Sequence, residues 1–199
     1  MIKAIIFDFD GVIYNTFNLA LKICKKIDSK FNEEKLKSMF DGNIFKKIKY
    51  GFKLERKRKL LKELESKEYR NLKLNKTIKS ELQKLSKKFD LFIVTSNSNE
   101  NLDKFLKNSS FENKFKKIHT AEFNKSKVHN FKSLFKEFDL KPEECIFVTD
   151  TLGDILEANK VKLKTIAVTF GYHEKERLQK GKPYKIISNF KEIFISLHS

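Results

Sequence analysis

Tryptophan is absent from this chain, proline and cysteine occur twice each, and glycine six times in 199 residues. Cys24 and Cys145 stand far apart, without the close pairing of a zinc or redox motif. A disulfide scaffold and a cysteine metal centre are therefore excluded, and both read as small buried hydrophobes of a reducing compartment. With only Pro142 and Pro183, and no serine-rich stretch, nothing reads as a linker, and there is no internal repeat. No apolar run approaches the roughly twenty residues of a membrane span. The amino terminus carries one lysine and a short apolar run broken by Asp8 and Asp10, so no signal peptide is expected there. His119, His129, His173 and His198 are scattered, so no histidine cluster is expected. The expectation is a soluble cytoplasmic protein without membrane contact.

Arginine is also scarce. The net charge is +17, yet Arg56, Arg58, Arg70 and Arg177 are the only arginines, and every other cation is lysine. The charge is concentrated: residues 14–89 hold 23 Lys/Arg against 9 Asp/Glu, a net of +14. Base readout and bidentate phosphate clamps lean on arginine. The lysine-rich segment is thus read as attracting small anions, with nucleic-acid binding as the less favoured alternative.

What is present is an α/β rhythm, in a length suited to one moderate domain or a core with a small insertion. Apolar strand-like runs occur at Ala4–Phe9, Leu91–Val94, Ile118–Ala121, Ile146–Thr149 and Thr165–Val168, with a weaker one at Ile186-Ile187. Helical spacing separates them at Glu100–Lys107, Lys127–Phe138 and Asp154–Lys160, and Phe190–Leu197 closes the chain. Ser126 is a candidate cap for the second of these. This alternation predicts a doubly wound parallel sheet. Residues 17–88 lack strands and carry helical spacing at Phe17–Phe31, Leu54–Tyr69 and Ile78–Leu85. The organisation read from this is a core of residues 1–13 and 90–199, with a helical insertion over 14–89 following the first strand.

Polar residues fall where the strands end. The first run meets Asp8-Phe9-Asp10-Gly11-Val12, two carboxylates beside a glycine. Burying an ionised carboxylate costs several kcal/mol unless a cation compensates it. The second run meets Thr95-Ser96-Asn97-Ser98, hydroxyl and amide donors suited to an anion. The fourth meets Thr149-Asp150-Thr151-Leu152-Gly153-Asp154, a second acid pair, of which Asp154 could instead cap the helix that follows. Lys125 and Lys127 stand between these two strands, at the start of a helix. Gly171-Tyr172-His173 follows the fifth run, an ordinary loop or a substrate contact. Ligands of open parallel sheets bind outside the carboxyl ends of the strands, where Asp8, Asp10, Thr95 and Asp150 would meet.

These four clusters, in this order and spacing, resemble the motifs of the haloacid dehalogenase-like (HAD) hydrolase superfamily over essentially the whole chain. Asp8 through Val12 match the first motif, Val94-Thr95 the second, a lysine near 127 the third, and Thr149-Asp150 through Asp154 the fourth. The helical insertion resembles a C1-type cap. The resemblance implies a phosphatase with Asp8 as nucleophile and Asp10 as general acid, then base. It further implies Mg²⁺ held by Asp8, Asp10 through its carbonyl, Asp150 and Asp154, and substrate phosphate bound by Thr95, Ser96 and Lys127, with Lys125 the other candidate lysine. The substrate is expected to be a small phosphorylated metabolite. Phosphomutase chemistry, or a weakly active module with a basic cap, is the alternative. The second acid of the first motif separates phosphatases and mutases from dehalogenases, which release halide without a proton. Thr149, Asn15 and Lys162 depart from residues common in relatives: glycine or an acid, aspartate, and glycine.

Overall fold

The computed structural model describes residues 1–46, 64–69 and 71–197. Six strands, β1 (Ala4–Phe7), β2 (Asp90–Val94), β3 (Lys117–His119), β4 (Cys145–Thr149), β5 (Lys164–Val168) and β6 (Lys185–Ile187), form one sheet. Their order is β3-β2-β1-β4-β5-β6, and every pairing is parallel. Ile5 sits opposite Leu91 on one side and Ile146 on the other, so β1 is central and carries apolar residues on both faces. Continuous apolar runs are what such doubly covered strands require.

Alternate residues feed two cores. Ile5, Phe7, Leu91, Ile93, Ile146 and Val148 point to one face and join the largest apolar cluster. On that face lie α3 (Lys76–Leu85), α4 (Asn99–Ser109) and α8 (Glu192–Ser196), through Leu82, Phe105 and Ile193 among others. Ala4, Ile6, Phe92 and Phe147 point the other way, against Phe131 and Leu134 of α5 (Lys127–Glu137) and Ala158 of α6 (Leu152–Asn159). The short α7 (Lys175–Gln179) inserts Leu178 against Ile155 and Ala167. The doubly wound parallel sheet read from the sequence is thus present.

Three local expectations are corrected. β1 ends at Phe7 rather than Phe9, because the backbone N–H groups of Val12, Ile13 and Tyr14 all turn back to the Phe9 carbonyl. Ser126 occupies the cap position of α5, but its hydroxyl makes no cap bond and faces Glu157 instead. The cap of α6 is Thr151, whose Oγ1 accepts from the Asp154 N–H, so Asp154 lies inside the first turn.

Between β1 and β2, α1 (Phe17–Ile27) and α2 (Glu33–Met39) form a separate small cluster of Leu21, Cys24, Phe31 and Leu36, joined by Tyr172 from beyond β5. The helix α3, assigned by sequence to the 14–89 insertion, packs on the sheet through Leu82 and Leu85. Residues 64–69 are helical; the rest of the helix expected at Leu54–Tyr69 lies outside the described residues, as do the cations Lys47, Lys49, Lys53, Arg56, Lys57, Arg58 and Lys59. Both cysteines are buried and unpaired. Among the described residues no helix is long and apolar enough to cross a membrane.

Candidate active site

The chain runs from β1 to β2 and β3 on one side, then returns to β4, β5 and β6 on the other. The crevice where this order reverses lies beside β1, at the carboxyl ends of its neighbours. Asp8 follows the last residue of β1, Thr95 the last of β2 and Asp150 the last of β4. The ladder extends one step past each of two ends: Asp8 N–H donates to the Val148 carbonyl (2.9 Å) and Thr95 N–H to the His119 carbonyl (2.9 Å). Asp8 and Thr95 are therefore fixed by the sheet itself.

Lys127, the first residue of α5, is buried and reaches between two carboxylates. Its Nζ lies 2.9 Å from Asp8 Oδ2 and 2.6 Å from Asp154 Oδ2. Thr149 Oγ1 also donates to Asp154 Oδ2, at 2.9 Å, which gives the unusual Thr149 a role in orienting that acid. Burial opposes ionisation of Asp154, but Lys127 and the Thr149 hydroxyl outweigh it and hold the carboxyl below its usual range. Asp8 goes the other way: burial dominates over Lys127, and the neighbouring acids push it further up. Burial alone would lower Lys127, yet the two carboxylates keep its ammonium protonated. Lys125 is exposed, its Nζ 5.8 Å from the Phe45 ring centre, so Lys127 is the lysine brought to Asp8.

The second acid, Asp10, is held by residues from three segments. Thr16 Oγ1 donates to its Oδ1 (2.8 Å) and Asn97 Nδ2 to its Oδ2 (2.8 Å). The Tyr69 hydroxyl donates to Oδ1 and itself accepts from Asn97 Nδ2 at 2.8 Å. Burial still raises the Asp10 carboxyl above its ordinary value against these three donors. Sequence reading did not find Thr16 or Tyr69. Tyr69 lies 59 residues from Asp10, and no local pattern joins them.

Asp150 is enclosed by backbone. Gly11 has φ +80°, and a Cβ there would fall 1.8 Å from Asp150 Oδ2; one on Gly171 would fall 2.3 Å from it. Only glycine permits this double approach. Tyr172 N–H donates to Asp150 Oδ2 at 2.7 Å, so the Gly171-Tyr172-His173 loop supports an acid. Asp150 Oδ1 is buried with no hydrogen-bond partner, and burial pushes this carboxyl up to about 8. An orphaned buried oxygen beside further carboxylates fits a hard cation with oxygen ligands. Among the described residues, however, no three acidic, histidine or cysteine side chains already converge as a cage.

A cavity of about 1370 Å³ opens onto this cluster, lined by Asp8, Asp10, Thr95, Ser96, Lys127 and Asp154 among others. Thr95 Oγ1 accepts from the Asn97 N–H (3.1 Å), which leaves its hydroxyl proton for a ligand. Six of the seven acids and donors named by sequence line the cavity. Asp150 sits behind it, under Gly11 and Gly171. The anion-binding capacity and the paired acids together suit transfer of a phosphoryl group.

The family model for haloacid dehalogenase-like hydrolases matches residues 5–168. Among solved structures, a haloacid dehalogenase-like hydrolase family protein from Streptococcus pneumoniae is 20% identical, with TM-score 0.82 over 98% of both chains. A predicted phosphoglycolate phosphatase from Haemophilus somnus is 21% identical, with TM-score 0.78 over 98% of both chains. CbbY of Rhodobacter sphaeroides, solved with xylulose-1,5-bisphosphate, is 15% identical, with TM-score 0.77 over 96% of both chains. At these identities the likeness carries the fold alone. No curated protein matches the sequence.

Proposed function

The chain belongs to the haloacid dehalogenase-like hydrolases, and from that premise we propose that it hydrolyses a small phosphorylated metabolite through a phosphorylated Asp8. The observation that carries this reading is Asp8 at the end of the central strand, with the Lys127 ammonium 2.9 Å away and Asp10 two residues on. An Asp8 oxygen attacks phosphorus, and the bond from phosphorus to the leaving oxygen breaks. Asp10 delivers a proton to that oxygen, then takes one from the water that attacks the phosphorylated Asp8. This returns the carboxylate and releases inorganic phosphate. Its raised affinity for a proton suits the first half of that role.

Lys127 and the Thr95 hydroxyl bind the non-bridging phosphoryl oxygens, where charge must be balanced as the group passes across. Thr16, Tyr69 and Asn97 orient Asp10, and Thr149 orients Asp154. Asp8, the Asp10 carbonyl and Asp150 would hold Mg²⁺, with Asp154 alongside. When bound, that ion screens the repulsion between the Asp8 carboxylate and the phosphate. In this reading α1 and α2 belong to a cap over the crevice, while α3 packs with the core. The apolar contacts of α1 and α2, separate from the sheet's own, support it.

Phosphate release from an aryl phosphate with Mg²⁺, compared between wild type and Asp8→Asn, tests the proposal. Loss of at least about 10³ in rate is expected for the variant. Near wild-type turnover in Asp8→Asn would end the covalent mechanism, and an inert wild type would end the phosphatase reading. A phosphomutase uses the same acids and is distinguished by delivery of the group to a second substrate hydroxyl rather than to water.

A further inference from the structure

The cavity beside Asp8 is far larger than a phosphoryl group needs. Its volume of about 1370 Å³ compares with roughly 30 Å³ for a water molecule in the liquid and with pockets of about 300–1,000 Å³ for typical ligands. Its lining is also asymmetric. The reacting end is polar and closes on Asp8, Thr95 and Lys127. The wall built from α1, α2 and the residues after it carries six apolar side chains, Leu19 and Ala20 of α1, Met39 and Phe40 at the end of α2, and Ile44 and Phe45 beyond it, beside the polar Asn43 and Lys46. All six are half-buried, so the fold leaves them partly uncovered at the cavity surface. Leu21 is sealed in the cluster behind them, while the more buried Ile23, Cys24 and Leu36 also border the cavity.

This wall selects among phosphate esters. A polyhydroxylated body laid along it would turn hydroxyls toward aliphatic and aromatic carbon, where they lose water without gaining partners. An alkyl or aryl body would cover the six side chains while its phosphate meets the cationic end. The net charge of +17 further favours an anionic ligand. We propose that the substrate class is a phosphate monoester of an apolar alcohol, with its body along the Leu19–Phe45 wall and its phosphate at Asp8. The proposal rests on the phosphatase reading and specifies what that site accepts.

The test is a series of n-propyl, n-hexyl and n-octyl phosphate, with glycerol 3-phosphate, each with Mg²⁺ and below its micelle concentration. One fully buried methylene is worth up to roughly fourfold, so kcat/KM should rise at least about 30-fold from propyl to octyl. Glycerol 3-phosphate should do no better than propyl phosphate. Leu19→Gln, or independently Met39→Gln, should bring the octyl-to-propyl ratio toward one. A flat or falling series, or a preference for glycerol 3-phosphate, would overturn this proposal while leaving the phosphatase intact. If no ester releases phosphate, the phosphatase reading falls instead. Calorimetry with propylphosphonate and octylphosphonate then decides the present proposal: binding at least tenfold tighter for octyl sustains it, and equal binding ends it.

Discussion

Replacing Lys127 with methionine tests the electrostatics of the site without any assumption about substrate. The ammonium lies 2.9 Å from Asp8 and 2.6 Å from Asp154, with all three side chains at most 12% exposed. At an effective dielectric constant of about 20 each attraction amounts to about 6 kcal/mol, offset by several kcal/mol per ion for dehydration. The net value of the triad is therefore small. Removing only the cation leaves two buried carboxylates facing each other, which costs about 3–5 kcal/mol. For a chain of this size that lowers the melting temperature by about 6–20 °C. Methionine keeps the length and the contact with Phe147, over whose ring the ammonium sits at 5.4 Å, so the loss reports charge rather than a cavity. Calorimetric melts should be run with a chelator, so that no bound cation replaces the missing charge. Adding Asp154→Asn to Lys127→Met should recover part of the loss, giving a coupling above about 1 kcal/mol. A methionine variant melting within 2 °C of wild type on the order of measurement error, or a strictly additive double variant, refutes the reasoning.

The sheet was readable because buried parallel strands must be apolar on both faces. Ile5 and Ile6 serve opposite cores, and a run without alternation announces that. Asp8, Thr95 and Asp150 were readable for a related reason: an acid or hydroxyl directly after such a run stands at a strand's carboxyl end, where an open sheet binds ligands. Spacing favoured Lys127 over Lys125 without excluding Lys125. The structure brings Lys127, the first residue of α5, to within 2.9 Å of Asp8 and leaves Lys125 exposed at the cavity. The support of Asp10 by Tyr69 was hidden because a tertiary contact joins them. The short α2 and α7 were hidden because each buries a single apolar side chain, Leu36 and Leu178, and so displays no period. Lys162 is informative in the opposite sense. Its φ of +57° shows why glycine is common there, a requirement of the chain reversal after α6 that the sequence of this protein does not advertise.

Asp10→Asn should slow hydrolysis of alkyl phosphates by about 10²–10⁴ while affecting an activated aryl phosphate far less, since only the former need a proton on the leaving oxygen; equal losses on both would contradict the role. Lys162→Gly should raise stability by about 0.5–1 kcal/mol in denaturant titrations by relieving the left-handed backbone, and a destabilised variant would show the strain is absent. Binding of long RNA should be weak at about 0.15 M salt and fall with a modest log–log slope, whereas tight binding with a steep slope would assign the basic 14–89 segment to nucleic acid. The last expectation concerns pH and His173. Its Nδ1 accepts from the Leu152 N–H at 3.0 Å and its Nε2–H donates to the Lys37 carbonyl at 2.9 Å, so only the neutral ring satisfies both. Burial lowers its proton affinity below the ordinary 6.5, with Arg177 acting in the same direction and Asp41 and Glu174 opposing. The unfolded chain therefore takes up a proton that the folded one refuses as pH falls through about 6.5, and stability that is complete above that value declines below it. One pH unit lower the loss is at most about 1.4 kcal/mol, a drop of no more than about 3–6 °C in melting temperature. Because carboxylates titrate nearby, the readout is the difference from His173→Asn, whose amide does not titrate. Parallel pH–stability curves for the two proteins over this range would show that the ring is not held neutral by the bonds joining α2 to α6.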